Sequence, residues 1–462
     1  MSVGQCMLLR SHGDDSSRLG DELCRKPVDI VVDDSEVIVE GGKTDVGSAT
    51  TAFIDTSRLR PAVACPDSIL RLSSEGRDTG PPTKGAYPVA RAPMGADAQD
   101  AALTELCSTL FASLPRSDQR GKSINYLRGL LGTPGRKSIR NIAALLGGQA
   151  TEQSLHHFIS SSTWDWIPVR QELARHVVAT VPPQAWVVRP MVIPKAGQHS
   201  VGVDRYFFPG VGRALNAQQA VGVWATSDGL SAPVNWRLHL SRTWLEHDLR
   251  RSQACIPDDV VPETLADCTA RAYLQVMNRW QVPARPVVLD ARDTNTFAAI
   301  GRLRAAGAPL LMRVSGTLEL TVVDPALPGY GPDGIPTHQI LIAARDMRRL
   351  ATETTLVAAV RVRLPRQAGE AGHLSRGGEL LLLGEWSMGQ YWPAKLWLTD
   401  MTAAQPASLV RLGMLMDRVD RDFDEITDKV GIRDFAGRSF TGWHRHVTLA
   451  SVAHTVVALG RR

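Results

Sequence analysis

The order of elements between residues 183 and 290 constrains the fold more than any other feature of the chain. Residues 186–188 (Trp-Val-Val) form a short apolar run with the character of a buried strand. Residues 218–240 read as a hairpin, two apolar runs about the turn Ser227-Asp228-Gly229. Residues 262–280 carry apolar side chains at helical spacing, with Pro262 near the first turn and Leu265, Cys268, Val276 and Trp280 inward. "RPVVLDARD" follows as a buried strand ending in Asp290. Three strands, a helix and a fourth strand make a mixed α/β core. In such cores the chemistry gathers at strand ends. The first strand ends in Arg189-Pro190, a fixed cation followed by a residue without a backbone N–H.

The flanks extend this core. Residues 1–98 are rich in Gly, Ser, Asp and Pro, with one alternating piece, "VDIVVDDSEVIVE", that suits a strand or hairpin; the remainder reads as a flexible extension. Residues 99–182 are helical in pattern and form an N-terminal domain, and residues 183–308 hold the first part of the core. Residues 309–402 are a mostly β insertion, carried by "PLLMRVSG", "TTLVAAVRVRL", "ELLLLGEW" and "KLWLTDM". Residues 403–462 return to helix. Leu409, Leu412, Met416, Val419, Phe423, Ile426 and Val430 form one stripe at steps of three and four, and a last helix spans about 442–459.

Composition narrows the setting. The chain has 462 residues, 44% hydrophobic and 21% charged, as in ordinary globular proteins. No run of 18 apolar residues and no secretory leader is present, so no membrane partner is expected. Six scattered cysteines without a CxxC fit a reducing cytoplasm. A net charge of +5 permits nucleic-acid binding without requiring it. After Asp434 the chain has four arginines and no acid, so a basic C-terminal patch or a solvated helix face is expected there.

Five motifs point further. "PRSDQRGKSINYLRGLLGTPGRKSIRNIAALLG" (115–147), "SLHHFISSSTWDWIPVR" (154–170), "PKAGQHSVGV" (194–203), "NWRLHLSRTW" (235–244) and "GRSFTGWHRHVTL" (437–449) resemble the DDE transposases of bacterial insertion sequences, and most the insertion-sequence 701 family. The resemblance spans roughly residues 100–460 and implies an RNase H-like nuclease fold with an insertion. It also implies DNA as a partner and, by analogy, a homodimer. In that family three carboxylates hold two divalent metals that activate the attacking oxygen and stabilise the leaving one. The first acid ends the first strand, the second ends the fourth, and the third lies on the late helix.

Set against that pattern, Asp290 matches the second acid. The first is absent. Where the family has Trp-Val-Val-Asp-Asp, this chain has Trp186-Val187-Val188-Arg189-Pro190, with ungapped flanks; the nearest other carboxylate is Asp204. On the late helix the family's Tyr, Arg, Glu and Lys fall at Gly413, Met416, Asp420 and Thr427, so Asp420 alone keeps a carboxylate. An Asp-to-Arg change moves the local charge by two units. Near a dication that repulsion is about 2 kcal/mol even in a water-like dielectric. The expectation is a cleft without metal or cofactor, in which Arg189 pairs with both Asp290 and Asp420. Core periodicity and turn glycines persist while functional positions change, which favours repurposing over decay.

Three functions compete. The chain is a transposase-like DNA-binding protein unable to cut. Alternatively it is an enzyme of small-molecule, natural-product biosynthesis using Arg189, Asp290, Asp420 and, as bases, His444 or His446 in the former cleft. The third reading is an active transposase with a displaced first acid. His444 and His446 also suit a structural role, since they belong to the motif at 437–449. His156 and His157, adjacent on a helix, face apart and read as core or surface residues. Ser200 and Ser231 lack a nucleophile elbow. No GxGxxG or P-loop occurs. "WDW" (164–166) and "YW" (391–392) are candidates to line a pocket.

Overall fold

A computed structural model describes residues 31–33, 36–38, 96–208, 212–327, 334–365 and 378–461. Within residues 1–89, a unit of its own, strands β1 (Val31–Asp33) and β2 (Glu36–Ile38) pair antiparallel. The rest of the expected flexible extension lies outside the described residues.

The second unit, residues 90–462, opens with five helices: α1 (Ala96–Leu110), α2 (Ser117–Gly132), α3 (Ile139–Leu146), α4 (Gln149–Ser160) and α5 (Trp166–Thr180). Strands β3 (Ala185–Pro194), β4 (Val203–Phe208), β5 (Arg213–Thr226) and β6 (Ser231–His239) follow, then the short helices α6 (Arg242–Leu245) and α7 (Asp248–Gln253). Helix α8 (Leu265–Arg279) leads to β7 (Val287–Asp290), α9 (Thr296–Ala305) and β8 (Leu310–Arg313). Beyond them come β9 (Glu319–Val322), β10 (Ile335–Pro336), α10 (Thr337–Ala343), β11 (Arg349–Leu350), β12 (Thr355–Arg363), β13 (Leu380–Ser387) and β14 (Lys395–Thr399). Helices α11 (Pro406–Asp422) and α12 (Phe440–Gly460) close the chain.

The sheet runs β6-β5-β3-β7-β8, with β3 antiparallel to β5 and parallel to β7, and β7 parallel to β8. This is the RNase H-like arrangement: a meander whose first strand is central, then helical crossovers to two parallel strands. The strands of the β-rich stretch form no separate layer. β14 pairs antiparallel with β8, and β13, β12, β9 and β10 continue outward, giving one twelve-stranded sheet.

Three details depart from the sequence reading. β3 does not stop at Val188. It runs to Pro194, paired with β5 throughout, and only residues 186–188 pair with β7. Trp186 donates its N–H to Pro286 on the β7 side. By alternation, residue 190 faces the same side beyond the end of that ladder, so proline there forfeits no sheet hydrogen bond. Helix α8 starts at Leu265 rather than at Pro262, because Thr264 and Asp267 form a capping box. The late helix changes winding at Phe423–Thr427, which is π-helical.

Close contacts fix the layers. Gly222, opposite Arg189, leaves room for Trp236: a Cβ there would stand 2.7 Å from the indole. Gly413 does the same for Trp397, since a Cβ on it would also stand 2.7 Å from the ring, and its absence lets α11 settle onto the sheet. Gly222→Ala is therefore expected to destabilise the fold by about 1–3 kcal/mol through overpacking, read as a lower urea midpoint at unchanged slope.

Candidate active site

The end of β7, the middle of β3 and the second half of α11 converge. Asp290 is the last residue of β7, and its carboxylate folds back on the turn after it. It accepts the backbone N–H of Arg292 at 3.1 Å and the Arg292 guanidinium through Nε at 2.9 Å and Nη2 at 2.6 Å. The hydrogen bonds to Asp290 hold Arg292 above its ordinary value, with Asp293 and Asp420 adding to the effect. Arg189 takes the other acid: its Nε donates to Asp420 Oδ1 at 2.7 Å. Its guanidinium carbon lies 3.9 Å from the centre of the Phe423 ring, and Arg433 approaches the same ring at 4.8 Å.

Arg189 thus pairs with Asp420 but does not form the expected bridge to Asp290. Asp290 is already saturated by Arg292, two residues along its own turn. The two residues missed by the sequence reading are Arg292 and Phe423. An Asp-x-Arg at a strand end was visible as a local bidentate pair; the role of Phe423 was not, because it depends on the π-helical turn.

The donor set does not fit a two-metal centre. Two carboxylates point into the cleft, each bonded to a guanidinium, and a cation stands where a third acid is needed. Among the described residues, no cluster of three or more His, Cys, Asp or Glu side chains is placed to hold a metal ion. Asp204 sits on β4, opposite Ala217, which itself pairs with Pro194. That places it two strands across and five residues along from Arg189, about 20 Å away, where it accepts a hydrogen bond from Ser241.

The positions of the family's Tyr, Arg and Lys on α11 are also accounted for. Gly413, Met416 and Thr427 are all buried. Gly413 abuts Trp397, and Thr427 Oγ1 bonds His454 Nδ1 at 2.9 Å. The extra residue in the π-helical turn means that seven residues no longer span two helical turns, so position 427 faces the core.

His444 and His446 lie away from the cleft, in the core on α12. Trp166 stacks on His444 at 4.8 Å, and Arg170 Nη2 donates to its Nδ1 at 3.2 Å. Burial, with Arg170 and Arg237 nearby, holds this imidazole well below its ordinary value. His446 takes a hydrogen bond from the Tyr126 hydroxyl at 2.8 Å and donates from Nε2 to Gly431 O at 2.8 Å. Neither has the access a base in the cleft needs. Of the other marked residues, His156 and His157 are exposed, Ser231 Oγ donates to Asp422, Tyr391 and Trp392 are exposed, and Trp166 lines a cavity. The C-terminal arginines do not make one patch: Arg445 is buried and donates to Trp164 O and Ile159 O, and Arg461 pairs with Glu425.

A family model described as DDE superfamily endonuclease matches residues 109–369, more than half of the chain. The chain belongs to this family. The match takes in β3, β7 and both of Arg189 and Asp290, and ends before α11. No curated protein matches the chain. Among the described residues, no helix is long and apolar enough to cross a membrane.

The buried imidazoles set a pH dependence. Burial pushes both His446 and His454 down to about 4. Above the ordinary imidazole value, 6.5, both states are neutral and the folded state has its full stability. As pH falls from there towards 4, the unfolded chain takes up protons that the folded chain refuses. Stability is expected to fall on the order of several kcal/mol over this window. Urea midpoints recorded between pH 7.5 and 4.5 check this; a flat profile would place both rings in contact with solvent.

Proposed function

We propose that this protein is a transposase-like member of the DDE superfamily, of the insertion-sequence 701 type, that no longer carries out metal-dependent strand transfer and is retained for binding DNA. The observation behind this reading is the pairing of both cleft carboxylates with arginines, Asp420 with Arg189 and Asp290 with Arg292. A dication entering the cleft has to displace two guanidiniums, and Arg189, at the first-acid position, repels it.

Retained DNA binding is supported by the family and by cations that need an anion. Arg136, in the loop before α3, and Arg140, in its first turn, are exposed and have no ion-pair partner among the described residues. Lys195, just past β3, is lowered to about 8, mainly by burial, with Arg136 adding to the effect and Asp434 opposing it. Phosphates neutralise such charge and release counterions. The small-molecule reading of the cleft has less support, because its proposed bases, His444 and His446, are buried elsewhere.

Two measurements test the proposal. In calorimetric titration with Mn²⁺ the natural chain is expected to give no saturable heat, whereas Arg189→Asp combined with Arg292→Ala should create a binding site. Saturable Mn²⁺ binding by the natural chain that disappears in Asp290→Ala, or Mg²⁺-dependent nicking of DNA, overturns the loss of metal chemistry. In gel-shift titrations on duplex DNA, affinity should fall steeply with salt, and Arg136→Ala with Arg140→Ala should flatten the log–log slope by about one unit per arginine. Absence of binding at low salt overturns the DNA half.

A further inference from the structure

Arg170 is a buried cation without a counter-anion in contact. Its side chain, 1% exposed, donates to Thr448 Oγ1 at 2.7 Å, to Asn235 Oδ1 at 3.1 Å, to Trp236 O at 2.7 Å, and to His444 Nδ1 and O at 3.2 and 3.0 Å. Burial pulls it down to about 9, and Asp165 opposes that only at a distance. Every partner is neutral, so the guanidinium is solvated by dipoles while its charge stays uncompensated.

Because Arg170 can only donate, His444 Nδ1 is an acceptor and the ring proton sits on Nε2. That Nε2–H donates to none of the described residues and is open to solvent, although the residue as a whole is only 5% exposed. The ring cannot turn to find one: Trp166 stacks on one face at 4.8 Å with planes 7° apart, and Phe440 closes on it at 4.5 Å. His444 forms part of the wall of a cavity of about 230 Å³ between α5, β6, α12 and the loop 257–261. Trp166, Phe440, Leu238 and Leu240 supply apolar wall, and Val261, 46% exposed, stands at the mouth. Arg237 also lines it, bonded to Glu263 at 2.7 and 2.9 Å. The enclosed charges are therefore two guanidiniums and one carboxylate; Asp259, at the rim, is exposed to water. This cavity shares no residue with the cleft of Asp290 and Asp420.

We infer that this cavity is a binding site for a small carboxylic acid with a flat apolar body. The carboxylate accepts the His444 Nε2–H and supplies the negative charge that Arg170 lacks, and the ring lies against Trp166 and Phe440. The volume is below the range for drug-sized ligands, which selects a single ring over a nucleotide. The inference is independent of whether the cleft binds metal or DNA.

The test is a ¹⁹F NMR titration of the full chain with 4-fluorobenzoate, alongside 4-fluorobenzyl alcohol as an uncharged counterpart. Saturable binding of the acid is expected, weakened about tenfold for the alcohol, since a hydrogen bond to a charged group is lost. His444→Gln retains both an acceptor for Arg170 and a donor for the ligand and should keep binding, whereas His444→Phe should lose about tenfold or more. Val261→Trp fills the mouth from an exposed position, where folding is unaffected, and should abolish binding. The inference is overturned by absence of saturable binding, by equal affinity for acid and alcohol, or by undiminished binding in Val261→Trp.

Discussion

The fold depends on how a long, almost wholly buried helix carries polar side chains through the core. Helix α12 buries His444, Arg445, His446, Thr448, Ser451, His454 and Thr455. Each needs a hydrogen-bond partner, because an unmade hydrogen bond in the interior costs more than a made one gains; Thr455 finds its own within the helix, at Ser451 O. Arg170 of α5 meets that need at His444 and Thr448 and ties α12 to β6 through Asn235 and Trp236. Tyr126 of α2 holds His446, and Trp236 Nε1 donates to Ser451 at 2.8 Å. The helical domain and the nuclease core are thereby one packed body around α12, and the motif "GRSFTGWHRHVTL" is first of all a structural motif. Burial holds its histidines towards the neutral form, with His446 bonded through both ring nitrogens and His444 through Nδ1.

The cleft obeys a different constraint. Two carboxylates brought together at the end of a strand and on a helix repel each other unless a cation lies between or beside them. The nuclease fold meets this with divalent ions. Here arginines meet it from within the chain, Arg292 at Asp290 and Arg189 at Asp420. Both pairs are partly exposed, with Asp420 52% accessible, so solvent screens them and their worth to stability is small. Their effect is on what else can bind. A ligand for Asp290 or Asp420 has to compete with a guanidinium already in bidentate or short contact.

Much of this was legible in the sequence, for a physical reason. Period-two and period-3.6 patterns report burial directly, and the strand order, the late-helix stripe and the placement of Asp290 all follow from burial. What escaped depends on contacts between distant residues or on local departures from ideal winding. The continuation of β3 past Pro190 is set by pairing with β5, which apolar runs do not reveal. Gly413 looked like a lost tyrosine but is a point where α11 touches Trp397. Thr427 looked like a lost lysine, but in the π-helical turn it faces the core. Arg445 was counted towards a basic patch, yet lies in the core, since composition does not distinguish a buried guanidinium from an exposed one.

The π-helical turn and Arg189 belong to one arrangement. A guanidinium on β3 needs both an anion and a surface for its planar face. Asp420 supplies the anion, and Phe423, displayed by the first residue of the π-helical turn, supplies the surface. Arg433 lies at the same ring from the loop that leads to α12, paired at 3.3 Å with Asp428. An aspartate at 189 makes no use of Phe423, whereas an arginine there joins β3, α11 and that loop in a single cluster. The charge and flat face of Arg189 are each matched by a neighbour, Asp420 and Phe423.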